Sequence, residues 1–385
     1  MNNKESIAVM GAGIVGATTA FYLSAAGYNV SIYDESTGQA TSAAAGIICP
    51  WLSQRRNKQW YQLVATGAAF YPTLMHDLNE DLTSSSIYRQ AGTLIFKKSP
   101  ELLSKLEKLA LKRRELAPEI GELTVLSPTE IKAKLPLLET SQSALFASGG
   151  ARVDGSLLTK KLLNMAISNG AKYFNEKAEL TITDKEFYSL STSKQTKQYS
   201  TVILAVGAWL PEVLEPLGFS VDIRPQKGQL VYLEVEQETQ DWPVVMPNGE
   251  IDIIPFPNGR IVVGATHENN EGYDLSVTEE KLDLMLKDAA HFAPDLTQAT
   301  FKEARVGTRA FTSDFLPFFG EIPDSPNLYV ASGLGSSGLT SGPIIARILT
   351  QLIMGEKTDL PISDYPVDRY IKKNNLLKPI KTRNK

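Results

Sequence analysis

One cysteine, Cys49, and three histidines in 385 residues, with no long apolar stretch, set the first limits on this chain. A lone cysteine excludes an intramolecular disulfide framework and fits a reducing, cytoplasmic setting. His76, His267 and His291 are scattered. No metal cluster with ligand spacing and no Ser-His-Asp set is expected from them. No run approaches the roughly 20 apolar residues that span a bilayer. The start, "MNNKESIAVMGAG", leaves no room for a signal peptide ahead of the first glycines, so a cytoplasmic protein is expected. Basic excess is also missing: a formal net charge of −4 gives no reason to expect a nucleic-acid partner. With 43% hydrophobic and 21% charged residues, the composition is that of a globular protein long enough for two intimate domains. The last fifteen residues carry six basic side chains and no acid. They read as a solvated tail, 372–385, with weak peripheral contact to an anionic membrane as the sharper alternative.

What the chain does have is glycine in a particular place. "SIAVMGAG" reads as a buried parallel strand, "IVGATTAFYLSAAG" as a helix stopped at Gly27, and "YNVSIYD" as a second strand. Gly11, Gly13 and Gly16 then form G-x-G-x-x-G at the strand-to-helix turn of a β-α-β unit. Gly11 permits the tight turn, Gly13 lets backbone approach a pyrophosphate, and Gly16 lets the helix pack closely. The helix start offers free N–H groups and a positive dipole end to phosphate. Asp34 stands where an acid accepts ribose hydroxyls, and its charge would repel the extra phosphate of NADP. NAD and FAD both remain open on these residues. The small-residue loop "ATSAAAGI" soon after the acid is either a flexible connector or a place where backbone passes close to a flavin.

Further along, 100–116 reads as a charged amphipathic surface helix, "SLLTKKLLNMAISNG" as a helix closed by Gly170, and "STVILAVG" as an apolar strand ending at Gly207. Between 221 and 266 the texture changes to short β-like runs separated by Pro and Asn-Gly, as in an antiparallel sheet. The last third returns to strand, glycine loop and helix. The expected fold is therefore α/β: a Rossmann-like, doubly wound domain (1–84, 148–218 and 315–371) interleaved with a mostly antiparallel β-sheet domain (85–147 and 219–314).

The ordered set "GAGIVGATTAFYLSAAGYNVSIYD", "ATSAAAGI", "VILAVGAW", "RPQKGQ", "GRIVVGATHE", "RVGTRAFTSDFLPFFG" and "NLYVASGLGSSGLTSGP" resembles the FAD-dependent D-amino-acid oxidase and dehydrogenase family, which includes glycine oxidase. The resemblance implies non-covalent FAD lying extended, its ring at the domain interface with substrate stacked on one face. It implies contacts from Gly11, Gly13, Ile14, Val15 and Gly16 at the diphosphate, and from Asp34 and Glu35 at the ribose. Thr41, Ser42, Ala45, Gly46 and Ile47 would lie beside the ribityl chain and ring. Glu179 would sit near adenine, Gly207 at the end of the third strand, and Gly335, Ser336, Ser337, Gly338, Leu339 and Thr340 in a late loop. That loop opens a helix whose dipole would stabilise the negative charge of a reduced flavin.

Arg309 is the residue the resemblance places on a substrate carboxylate, and a guanidinium fork suits that task; the alternative is a surface pair with Asp314. Ala310 departs from the proline usual there. Ser336 stands where glycine oxidase has a second arginine, and Asp252 where it has a tyrosine over the substrate. Asp252 either holds a cationic amine or caps a β-turn. His267 reads as a structural or rim residue, with a catalytic base as the alternative; Lys227 either matches a basic position in the family or is a solvated hairpin lysine. The expected function is oxidation of the C–N bond of a small amino acid, D-configured or glycine-like, by hydride transfer to flavin. The resulting imine hydrolyses to a 2-oxo acid and ammonia. A secondary-amine oxidase of the sarcosine or proline type is the alternative within enzymes. A catalytically silent dinucleotide-binding sensor or assembly protein is the alternative outside them.

Overall fold

The computed structural model describes residues 6–183 and 187–374, so the basic tail beyond Asn374 lies outside the described residues. A six-stranded sheet forms one centre. Its order is Phe318–Glu321, Leu328–Ser332, Thr201–Leu204, Ser6–Met10, Asn29–Tyr33 and Lys172–Phe174. All neighbours run parallel except the outer pair Phe318–Glu321 and Leu328–Ser332. Val9 sits level with Ile203 on one side and Ile32 on the other. These strands are covered on both faces, which is why they read as continuous apolar runs. Three helices, Ile14–Ala25, Gly155–Ser168 and Gly338–Met354, pack on one another beside this sheet.

An eight-stranded sheet forms the second centre. Its order is Thr300–Phe311, Arg224–Glu234, Arg260–Gly264, Asp252–Pro255, Val244–Met246, Thr93–Ile95, Ala144–Ala147 and Leu123–Leu126. Only Val244–Met246 and Thr93–Ile95 pair in parallel. Alternation divides its residues. Val231, Leu233, Ile253 and Val263 face the helix Glu279–Ala290, while Leu230, Tyr232, Ile254 and Val262 face Ala45 and Ile47. The second face looks toward the nucleotide-type sheet. Asp154 ties the two parts: it caps the helix Gly155–Ser168 through the N–H groups of Ser156 and Leu157 and takes a 2.7 Å ion pair from Arg260.

The charged helix expected over 100–116 is Pro100–Arg114, capped by Ser99. A longer helix, Lys58–Asp77, was not expected, because Gly67 and Pro72 interrupt its pattern. Gly67 is there for contact: a Cβ would lie 2.1 Å from the Thr340 carbonyl oxygen of the late helix. No helix among the described residues is long and apolar enough to cross a membrane.

Candidate active site

The glycine turn makes its cradle from backbone. Gly11 has φ of 93°, and a Cβ on it would stand 2.4 Å from the Ala205 carbonyl oxygen at the end of the neighbouring strand. A Cβ on Gly16 would stand 1.9 Å from the Gly11 carbonyl oxygen, so these two glycines let the turn fold onto itself. Gly13 differs: its missing side chain borders only the Thr41 hydroxyl, at 3.3 Å. The Ile14 N–H donates to that hydroxyl at 3.0 Å, and the helix has no side-chain cap from its own N-cap. Asp34 follows the second strand and accepts hydrogen bonds from the Ala12 N–H, the Ser36 N–H and the Gln39 side chain.

A cavity of about 750 Å3 lies at the carboxyl ends of the parallel strands, where doubly wound sheets bind ligands. Gly11, Gly13, Ile14, Val15, Asp34, Glu35 and Thr41 line it from the first motif, Glu179 and Gly207 from the middle of the chain, and Gly335 and Gly338 from the late loop. Thr308 and Ala310 line it from the edge of the eight-stranded sheet. The Thr308 hydroxyl is buried there with no hydrogen-bond partner among the described residues. An orphaned buried hydroxyl is costly unless a ligand completes it.

The other expected residues stand elsewhere. Gly16 lies behind the turn. The Ser42 hydroxyl donates to Gln39 O at 3.1 Å and lines an adjoining polar pocket. Gly46 is small for strand pairing: a Cβ would lie 2.0 Å from the Val153 carbonyl oxygen, and the Val153 N–H donates to Gly46 O. Ala45 and Ile47 pack on the inner face of the large sheet. Ser336 is exposed; Ser337 is buried and accepts from the Trp60 indole N–H at 3.3 Å. The Leu339 carbonyl accepts from the Tyr71 hydroxyl, and the Thr340 hydroxyl donates to Ile47 O, joining the late helix to the early loop.

On the inner face of the large sheet, Arg309 reaches sideways across the neighbouring strand. Its Nη1 donates to Thr266 O at 2.9 Å and to Gln226 Oε1 at 3.2 Å. Gly228 makes this possible, since a Cβ there would lie 2.7 Å from the guanidinium carbon. Arg309 forms no ion pair among the described residues. Burial pulls its pKa down to about 10, against the pull of Glu268, so it stays charged at neutral pH. Asp314 is paired instead with Arg369 at 2.6 Å. His267 lies within electrostatic reach of Arg309; burial first, then that charge, lowers its pKa. Asp252 is level with Gly264 in the same sheet, its carboxyl makes no hydrogen bond or ion pair among the described residues, and burial raises its pKa to about 7.

The family model described as FAD dependent oxidoreductase matches residues 6–352. The chain belongs to this family. It is 43% identical to the oxidoreductase YurR of Bacillus subtilis (strain 168), over 94% of this chain and 98% of the relative. It is 26% identical to a glycine oxidase of Geobacillus kaustophilus, over 97% and 99% of the two chains. Among solved structures, iminodiacetate oxidase from Chelativorans sp. BNC1 superposes with a TM-score of 0.89 at 35% identity, covering 93% of this chain and 98% of that one. The protein is thus an FAD-dependent oxidoreductase rather than an NAD dehydrogenase.

The cradle fits the family's cofactor. Gly13 at a helix start whose own N-cap offers no side chain suits a diphosphate, Asp34 a ribose, and the orphaned Thr308 hydroxyl a polar group of the same molecule. Thr308 escaped the sequence reading, since a threonine one residue before an arginine carries no motif. Gly228 escaped it too; "RPQKGQ" was read for its lysine. Lys227 is no solvated hairpin residue, being buried in a 2.6 Å ion pair with Asp274.

Proposed function

We propose that this FAD-dependent oxidoreductase oxidises the C–N bond of a small amino acid, D-configured or glycine-like. The observation that carries the reading is Arg309: a desolvated, charged guanidinium with no ion pair among the described residues, flanked in its strand by Thr308 and Ala310, which line the cavity. A buried cation without an anionic partner is unfavourable until a carboxylate arrives, and the planar fork accepts one in bidentate fashion. When bound, FAD supplies the two-electron acceptor for hydride from the carbon next to nitrogen.

This chain's residues then orient and select. Arg309 holds the carboxylate and Gly228 leaves room for its guanidinium. Asp252, ionising near neutrality, accepts the amine's charge as the substrate enters. His267, held neutral, adds no repulsion toward a cationic substrate. FAD binding is non-covalent on this reading. The nearby Cys49 thiol is buried and pushed up to about 12, which leaves it protonated and a poor nucleophile.

A secondary amine is the second reading. Its support is the 35% identity to an enzyme whose name gives iminodiacetate, a secondary amine, as substrate. Anaerobic mixing of the FAD-loaded protein with a panel of amines tests both. Amino acids with a free carboxylate should bleach the oxidised flavin, and primary against N-substituted amines separates the two readings. Bleaching by simple alkylamines alone, or by no amine at all, overturns the assignment. Readmitting air distinguishes an oxidase from a dehydrogenase.

A further inference from the structure

Two polar side chains of the strand Arg224–Glu234, Lys227 and Gln229, are fully buried. Burying either is costly unless its polar atoms find partners. Both find them in one segment, the loop 265–278 between the strand Arg260–Gly264 and the helix Glu279–Ala290. Gln229 grips this loop near both ends. Its Nε2 donates to Glu268 Oε1 at 2.8 Å, and its Oε1 accepts from the Thr278 N–H at 2.9 Å. Only one orientation of the amide serves a carboxylate and an N–H together. Lys227 holds the middle of the loop through Asp274. The tip is fixed as well: the Tyr273 hydroxyl donates to Ala208 O at 3.0 Å, and its ring centre lies 5.6 Å from that of Trp209, which lines the cofactor cavity.

Near the start of the loop stands the residue that seats Arg309. Thr266 O accepts from the Arg309 guanidinium, and the rest of Thr266 is tied to Gln229 and its partner. The Thr266 N–H donates to Gln229 O at 3.0 Å and the Gln229 N–H to Thr266 Oγ1 at 2.9 Å. The Thr266 hydroxyl then donates to Glu268 Oε1 at 2.6 Å, the same oxygen that receives the Gln229 amide. Gln229, Thr266 and Glu268 thus close a ring in which each member fixes the other two. Gly228, which the Arg309 guanidinium crosses, lies between Lys227 and Gln229, so strand alternation puts those two side chains on the opposite face. Gln229 therefore acts on Arg309 through Thr266, without touching a substrate itself.

We infer that Gln229 is a positioning residue for the substrate carboxylate: by closing the ring with Thr266 and Glu268 it fixes the Thr266 carbonyl, and with it the placement of the Arg309 guanidinium. The inference rests on the amino-acid reading above, with Arg309 as the carboxylate anchor.

The test uses the FAD-loaded protein. Affinity for methoxyacetate, an unreactive carboxylate, is read from perturbation of the oxidised-flavin spectrum, and KM and kcat from the amino acids that reduce the flavin. Gln229→Glu sets two carboxylates against each other, and should weaken methoxyacetate and raise KM about tenfold, with kcat changed far less. Adding Glu268→Gln restores a donor and an acceptor between the two positions and should recover most of the loss. Thr266→Val, which replaces the hydroxyl by a methyl, should weaken methoxyacetate about fivefold and Thr266→Ser hardly at all; this pair carries the test if Gln229→Glu does not fold. In an Arg309→Met background neither Gln229→Glu nor Thr266→Val should cost anything further. Unchanged carboxylate affinity in both variants, no recovery on adding Glu268→Gln, or losses that add in full to that of Arg309→Met overturn the inference. A merely structural ring would lower the melting temperature and leave carboxylate affinity where it is. If the unaltered protein binds no methoxyacetate and no amino acid reduces its flavin, the amino-acid reading itself has failed; carboxylate binding indifferent to both variants sinks only the role of Gln229.

Discussion

The glycine turn and the inner face of the large sheet build binding surfaces in opposite ways. At Gly11, Gly13 and Gly16 side chains are absent, and backbone and a helix end make the site. At the sheet face the backbone is a platform, and Arg309 and Asp252 supply charge from two different strands. The first arrangement suits a cofactor shared across a family; the second can change its preferences by replacing single side chains. Gly228 belongs to both styles, an absence that positions a side chain.

The sharpest way to break the contrast is at Gly16. Gly16→Ala drives a Cβ to 1.9 Å from the Gly11 carbonyl oxygen, so FAD affinity of the apoprotein should fall by two orders of magnitude or more, or folding should fail. Flavin-fluorescence titration with circular dichroism separates these, and near-normal FAD binding would refute a backbone-built cradle. Arg309→Met comes next: kcat/KM for carboxylated amines should drop about 100-fold or more with FAD affinity untouched. A parallel loss of FAD would show that the two regions are not separable.

Asp252→Asn sharpens the comparison through pH. The folded pKa, about 7, lies above the unfolded value of 3.8, so the native state binds the proton more tightly between them. Stability from this group is present below about pH 4, is lost as pH rises toward 7, and stays lost above. Asp252→Asn should therefore stabilise the protein at pH 8 by up to about 4 kcal/mol while weakening amine binding. Thermal melts at pH 8 and pH 4 check it; equal effects at both would remove the burial argument. Gly228→Ala should raise KM for carboxylated substrates about tenfold by displacing the Arg309 guanidinium, leaving FAD affinity unchanged. The smallest effect expected is at Thr308. Thr308→Val should weaken FAD binding about fivefold, the worth of one hydrogen bond, with Thr308→Ser close to wild type.

Local rules made much of the first region readable. A strand, three glycines at fixed spacing, a helix and an acid are all consequences of neighbours in sequence, because tight turns and helix ends are local events. The helices Pro100–Arg114 and Gly338–Met354 were legible for the same reason. The helix Lys58–Asp77 was hidden, because Gly67 answers to a distant helix rather than to its own turn and Pro72 interrupts the pattern.

The amino-acid order, then, specified a nucleotide cradle, its chemistry of phosphate and ribose recognition, and a flavoprotein-like succession of motifs. Folding in three dimensions settled what Gly46, Gly67 and Gly228 are for, which arginines lack anionic partners, and that Asp252 is desolvated. The reason is physical: spacing governs backbone geometry within a few residues, whereas desolvation and charge pairing depend on strands distant in sequence that only the sheet order brings side by side.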